Sequence, residues 1–342
     1  MNSKPLISVI MSAFNAEDYI SSSLKSILNQ SLTNIEIIIV DDGSTDKTLD
    51  IINEFANAYR RIMVISRENK GIVASLNEAA SHATACIIAR MDADDVSYPT
   101  RLSVQFLEFK SRPELIALGV QCESIDTNGR VMDFKTTYPV GSKAMRANAF
   151  KGGPLIAHPA LMMRAEAFRA VGAYRAPFTG AEDLDLLYRL YRIGVIDNIQ
   201  DCLLQYRIHE RNVSKTFAYE QKLASSVLIE LFISEVCAGE SYSCQIDDPI
   251  DLNSIDVLLG MVGFRRRVLN RMVDVDFAYN PNIIMRSDAR ALILERLETL
   301  LGETHSRSHV MRREIIFAAL KAMLRRPDTF SIQFLSKLIL RF

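Results

Sequence analysis

Ile35-Glu36-Ile37-Ile38-Ile39-Val40-Asp41-Asp42-Gly43-Ser44 is the stretch that decides the fold class. Residues 35–40 are β-branched at every position except Glu36, the composition of a strand covered on both faces. The strand ends in two acids and a glycine, which are turn residues. Residues 45–59 then change to a helical period, with Leu49, Ile52, Phe55 and Tyr59 on the core side and Ser44 as the expected N-cap.

The same alternation runs through the first hundred residues. Residues 6–11, 62–65 and 85–91 read as further strands. Residues 17–30 and 72–83 read as helices, the first with Ile20, Leu24, Ile27 and Leu28 on one face. Pro99 fits the first turn of another helix through Leu102, Phe106 and Phe109. Repeated β-α-β with apolar strands implies a parallel sheet flanked by helices, and ligands bind such sheets at the carboxyl ends of the strands. The polar clusters fall at those ends: residues 12–15, 41–44, 67–71 and 92–95.

The last of these clusters, Arg90-Met91-Asp92-Ala93-Asp94-Asp95, puts three carboxylates within four residues. Carboxylates so close repel one another, and carboxylate oxygens are the preferred ligands of Mg²⁺ and Mn²⁺. Taken alone, the run reads better as a solvated acidic turn, and the company it keeps changes that reading. Asp41 and Asp42 satisfy a turn, but two successive acids leave one free to meet a base or a ribose. Residues 69–77 join a loop to a helix start, where Gly71 permits close backbone approach and Lys70 can reach a phosphate. Glu182 and Asp183 open an apolar-faced helix; they complement its dipole, and one can serve as a general base. His158-Pro159 leads into a strand at residues 160–163, and Tyr206-Arg207-Ile208-His209 follows another apolar run.

Several classes are disfavoured. The chain has 342 residues, 49% hydrophobic and 24% charged, with a net charge of −1, so neither disorder nor a nucleic-acid partner is expected. No G-x-G-x-x-G follows the first strand and no P-loop is present. His305 and His309 lack the company of a zinc site. The five cysteines form no C-x-x-C pair and read as buried, reduced thiols. With no signal-like start and no membrane-length apolar run, a cytoplasmic protein is expected.

Residues 6–15, Asp41-Asp42-Gly43-Ser44-Thr45-Asp46, residues 69–77, Asp92-Ala93-Asp94-Asp95, His158-Pro159, Glu182-Asp183 and Tyr206-Arg207-Ile208-His209, in this order, resemble the family 2 glycosyltransferases. The chain has Ala13 and Phe14 where that family often has Pro and Tyr. The resemblance implies a GT-A fold (nucleotide-diphospho-sugar transferase-like): a mostly parallel α/β sheet flanked by helices, over residues 1–214. Residues 1–98 would be its nucleotide-sugar half and 99–214 its acceptor half, with a helical C-terminal region at 215–342. It implies a metal-dependent, inverting, hexosyl-type transferase that uses Mg²⁺ or Mn²⁺. The donor would be a nucleoside-diphosphate sugar, UDP favoured, and the acceptor a saccharide or lipid-linked saccharide in surface polysaccharide biosynthesis. Carried over residue by residue, Asp94 resembles the metal ligand and Asp183 the general base, with Glu182 beside it. Asp42 resembles the base-contacting acid and Asp92 the ribose-contacting acid. Ser12, Phe14, Asn15, Asn69, Lys70, Gly71, Asn77, Ala93, His158, Arg207 and His209 complete the expected nucleotide-sugar surroundings.

Two other classes stand beside this one. A non-catalytic nucleotide-sugar or glycan-binding protein could share the fold, though it has no use for a base. A sugar nucleotidyltransferase would carry a Gly-rich basic loop after strand one, which residues 12–17 are not. At the far end, residues 305–342 hold eight Lys/Arg and two acids interleaved with apolar residues. Two readings fit that pattern: a basic amphipathic surface for peripheral contact with the inner membrane face, or packing on the catalytic domain or a second subunit.

Overall fold

The computed structural model describes residues 4–178, 180–210 and 212, together with 224–226, 228, 229 and 232. The helical C-terminal region expected at 215–342, its basic surface, Cys237 and Cys244 therefore lie outside the described residues, apart from the few helical positions just given.

The strands are β1 (Ile7–Ala13), β2 (Ile35–Asp41), β3 (Ile62–Ser66), β4 (Ile87–Asp92), β5 (Val96–Ser97), β6 (Leu115–Ile125), β7 (Val131–Thr136), β8 (Met162–Arg164) and β9 (Val195–Arg207). The helices are α1 (Ile20–Leu28), α2 (Thr48–Ala58), α3 (Ile72–Ser81), α4 (Arg101–Ser111), α5 (Ser142–Lys151), α6 (Ala165–Ala170) and α7 (Glu182–Ile193). All belong to one sheet and its cover, in strand order β3-β2-β1-β4-β8-β6-β9-β5, with β7 paired to β6. Strands β3-β2-β1-β4 are mutually parallel. Beyond β4 the sheet is mixed: β8 runs antiparallel to β4 and β6, and β6 runs parallel to β9.

Burial explains the parallel half. Val9, Met11, Ile37, Ile39, Ala89 and Met91 face one core with Ile20, Leu24 and Ile27 of α1. Helix α3 covers the opposite side of β1 and β2, contributing Val73, Leu76 and Ala79 to the buried set. Burying each such Ile, Leu, Val or Met side chain stabilises the fold by roughly 1.5–3 kcal/mol. The register then fixes the site: Ser12 lies beside Val40 and Asp92, Ala13 beside Asp41, and Asp41 beside Ser66. The carboxyl ends of four strands are thus level.

Several local expectations are corrected. Ser44 does not cap α2; its Oγ accepts the Asn15 N–H at 3.0 Å, and Asp46 Oδ1 accepts the Thr48 N–H at 3.0 Å instead. Tyr59 is not on the core side but 43% exposed, because α2 ends one residue earlier. The segment after His158 is a short 3-10 turn (His158–Ala160), and its strand begins at Met162, since Pro159 has no N–H for a ladder. Cys86 is exposed rather than buried, Cys202 is half-buried and Cys122 is buried.

Candidate active site

The loop after β2 is built around Asp42. Its Oδ1 accepts the Lys70 N–H at 2.9 Å and its Oδ2 the Gly71 N–H at 2.8 Å. Arg67 also pairs with Asp42 and, on its other side, with Glu78 and Ser75. The carboxylate is buried, so the pairs around it fix the loop at the N-terminus of α3. The backbone N–H groups of Lys70 and Gly71 are thus donated to Asp42, while Asn69 and Lys70 project as exposed residues. Gly43 is required here: its φ is +78°, and a Cβ would lie 2.9 Å from the Asn69 nitrogen. Asn15 adopts a positive φ of 48° and its Oδ1 accepts the Thr45 N–H at 2.9 Å, tying the end of β1 to this loop. Ser12 is half-buried in the same row, and Phe14 is 49% exposed. An aromatic face open beside a buried acid suits a stacked base.

At the end of β4, Asp92, Asp94 and Asp95 bring one carboxylate oxygen each within 4.8 Å of one another. Each acid has a different partner. Arg90 grips Asp92 through both terminal guanidinium nitrogens. Asp94 Oδ2 lies 2.9 Å from His209 Nε2. Asp95 Oδ1 accepts the Arg207 N–H at 2.8 Å. Burial pushes Asp92 up to about 6, against the pull of Arg90 and with a push from Asp94. Burial also holds Asp95 well above the usual carboxylate range. Asp95 Oδ2 is buried and has no hydrogen-bond partner among the described residues. An all-oxygen trio with an imidazole beside it and one orphaned carboxylate oxygen fits a hard divalent cation such as Mg²⁺ or Mn²⁺.

Arg207 and His209 are held as a unit. The Arg207 guanidinium lies 4.8 Å from the Tyr19 ring centroid, and the His209 ring stacks on Tyr19 at 5.0 Å. Arg207 Nε also donates to the Asp94 carbonyl at 2.7 Å. Both residues thus face the acid cluster and shape the loop through Ala93.

The third group gathers at α7. Glu182 and Asp183 open the helix, where its N-terminal N–H groups favour acids. Asp183 Oδ1 accepts the Leu184 N–H at 2.7 Å, and burial raises its pKa. Glu182 Oε2 accepts the Gly180 N–H at 2.5 Å; burial, then the Asp183 charge, pushes it up to about 7. Its Oε1 lies 4.0 Å from His158 Nδ1. Burial and then Arg90 hold His158 well below its ordinary value, so the imidazole is neutral, and its Nε2 meets the Tyr174 hydroxyl at 2.8 Å. Asn77, expected near the nucleotide, is spent on Tyr174: its Oδ1 accepts the Tyr174 N–H at 3.0 Å and its Nδ2 donates to the Tyr174 carbonyl at 2.9 Å. This joins α3 to the loop that carries Glu182 and Asp183. The neighbouring Asp185 is structural, held by Arg175 and Arg189.

Three contributors had not stood out in the sequence: Arg90, Tyr19 and Tyr174. Arg90 alone carried a signal, a lone cation in an apolar strand, which has to find a partner when buried.

A parallel half-sheet with acids at level strand ends, joined to a mixed half that brings in a second pair of acids, is the plan of the GT-A transferases. The family profile described as glycosyl transferase family 2 matches residues 8–172. EpsE of Bacillus subtilis (strain 168) is 36% identical over 236 residues, covering 67% of this chain and 82% of EpsE. The O-antigen biosynthesis glycosyltransferase WbnJ of Escherichia coli is 31% identical over 243 residues, covering 70% of this chain and 93% of WbnJ. In fold, the crystal structure of S. aureus TarS 1-349 in complex with UDP-GlcNAc superposes with a TM-score of 0.55 at 20% identity, covering 78% of this chain and 80% of that one. The chain belongs to glycosyl transferase family 2. Among the described residues no helix is long and apolar enough to cross a membrane.

Proposed function

We propose that this chain moves a hexose from a nucleoside-diphosphate sugar to a saccharide or lipid-linked saccharide acceptor, inverting the anomeric carbon. The observation that carries this reading is one juxtaposition. The acid trio at the end of β4 and the acids at the start of α7 lie close enough that the Asp183 charge acts on Asp92. UDP is the first candidate nucleotide, in keeping with the UDP-GlcNAc complex of TarS. Surface polysaccharide assembly is the first candidate pathway, in keeping with the O-antigen role in WbnJ's name.

In this mechanism Asp42, Ser12 and Phe14 receive the nucleoside, Asp42 as acceptor for a ring N–H and Phe14 as stacking face. Asp92 reaches the ribose and would also join Asp94, with His209 beside it, in holding the divalent cation. The cation supplies Lewis-acid neutralisation of the charge that gathers on the leaving diphosphate. Asp183 removes the proton from the attacking acceptor hydroxyl. Its raised pKa strengthens it as a base, and Leu184 orients one of its oxygens. Attack on the face opposite the departing diphosphate inverts the centre through an oxocarbenium-like transition state.

The test is thermal unfolding with UDP, GDP and dTDP, each with and without Mn²⁺. A ligand that binds only the native state raises the melting temperature. Stabilisation by one nucleotide, strengthened by Mn²⁺ and lost in Asp94→Ala, is expected. No shift with any of the three would reject the donor assignment.

A further inference from the structure

Arg90 is the built-in cation of this site. Its side chain is 3% exposed, and its terminal nitrogens take both oxygens of Asp92 in a fork. Its Nε is buried without a partner among the described residues. The backbone beneath it is anchored on both sides: its N–H donates to the Leu161 carbonyl at 2.8 Å, and its carbonyl accepts from Arg101 Nη2 at 2.7 Å. The guanidinium therefore cannot swing out to solvent without breaking a buried pair.

Asp92 is at once the partner of this fork and one of the three acids that fit a divalent cation. A free cation that recruits Asp92 must loosen the Arg90 pair and leave a guanidinium buried without its carboxylate, which is costly. A diphosphate arriving with the cation changes that balance, because phosphate oxygens are natural partners for the released fork. We infer that Arg90 is a positioning residue that withholds Asp92 from free cations and makes the binding of cation and nucleotide diphosphate mutually dependent. Such dependence is reciprocal: each ligand tightens the other by the same factor. The inference rests on the donor reading above and adds an order to it, with cation and nucleotide entering together.

The test measures Mn²⁺ affinity by electron paramagnetic resonance, in wild type, Arg90→Met and Arg90→Lys, without nucleotide and with UDP or GDP. In wild type the nucleotide is expected to tighten Mn²⁺ binding by about tenfold or more. Arg90→Met should bind Mn²⁺ alone about tenfold more tightly than wild type, and the tightening by nucleotide should shrink toward none. Arg90→Lys, a single-point donor, should fall between the two. A folded Arg90→Met protein with wild-type Mn²⁺ affinity and undiminished coupling would overturn the inference. If Arg90→Met does not fold, Arg90→Lys decides, and no gain in Mn²⁺ affinity there overturns it. Loss of nucleotide binding with Mn²⁺ affinity unchanged in a folded Arg90→Met overturns it as well, because Arg90 would then act as a donor contact alone. Wild type in which neither nucleotide changes Mn²⁺ affinity would instead reject the donor reading, and this inference with it.

Discussion

His209 Nε2 lies 2.9 Å from Asp94 Oδ2, across 115 residues of chain. The contact joins the segment just after β9 to the acid cluster at the end of β4. Tyr19 stacks under the imidazole and fixes its plane. For a metal site this places a nitrogen donor beside the carboxylate that resembles the family's metal ligand. His209→Ala should weaken Mn²⁺ binding in the presence of UDP by about ten- to a hundredfold, in the range seen when metal-site partners are removed. Isothermal titration of Mn²⁺ into the nucleotide-loaded protein checks this. An unchanged affinity would leave His209 as a phosphate or sugar contact.

Asp42 is tied to the loop through Lys70, Gly71 and Arg67. Asp42→Ala would leave Arg67, itself largely buried, without this partner and would free two backbone N–H groups. Breaking a buried pair in this way costs about 3–5 kcal/mol. The variant should unfold at markedly lower denaturant and lose nucleotide binding together. A variant of wild-type stability would show that the loop does not depend on Asp42.

Asn77 should separate structure from binding. Asn77→Ala removes both hydrogen bonds to the Tyr174 backbone. Leaving those groups unpaired costs about 1–3 kcal/mol each where water does not replace the lost partner. The expected result is reduced stability and reduced kcat with little change in nucleotide affinity. A selective loss of nucleotide affinity at unchanged stability would restore Asn77 to the donor contacts.

The acid pair at α7 sets a pH dependence of stability. Glu182 is raised from 4.5 to about 7 in the folded protein. Between those values the native state holds a proton that the unfolded chain has released. Stability contributed by this group is therefore present at low pH and lost as pH rises through about 7. Glu182→Gln should lose less stability than wild type between about pH 4.5 and 7, read as melting temperature against pH. Parallel curves for the two proteins would contradict the shift.

The parallel half of the fold was legible because its strands are almost wholly apolar and β-branched. Residues 35–40 and the observed Ile35–Asp41 differ by a single residue at one end. The carboxyl-end rule then located Asp42, Asp92 and Asp94 without coordinates. The mixed half was less legible. Strands β6 and β9 pair through several register shifts, so their side chains do not alternate cleanly. Partner choice was not legible at all. Nothing local to Asn77 points to Tyr174, and nothing local to Tyr19 points to Arg207 and His209. The Ser44 expectation failed for a related reason: a good capping residue had a stronger claim from Asn15 on a neighbouring loop.

The most direct test of the proposed chemistry is transfer from a nucleotide sugar by Asp183→Asn, compared with Asp94→Ala in the same assay. Asp183→Asn is nearly isosteric and should keep Mn²⁺-strengthened nucleotide binding while losing transfer by about 10²–10⁴-fold, the usual worth of a positioned general base. Asp94→Ala should lose both. Turnover by Asp183→Asn at the wild-type rate, with binding intact, would contradict its role as the base and with it the proposed mechanism.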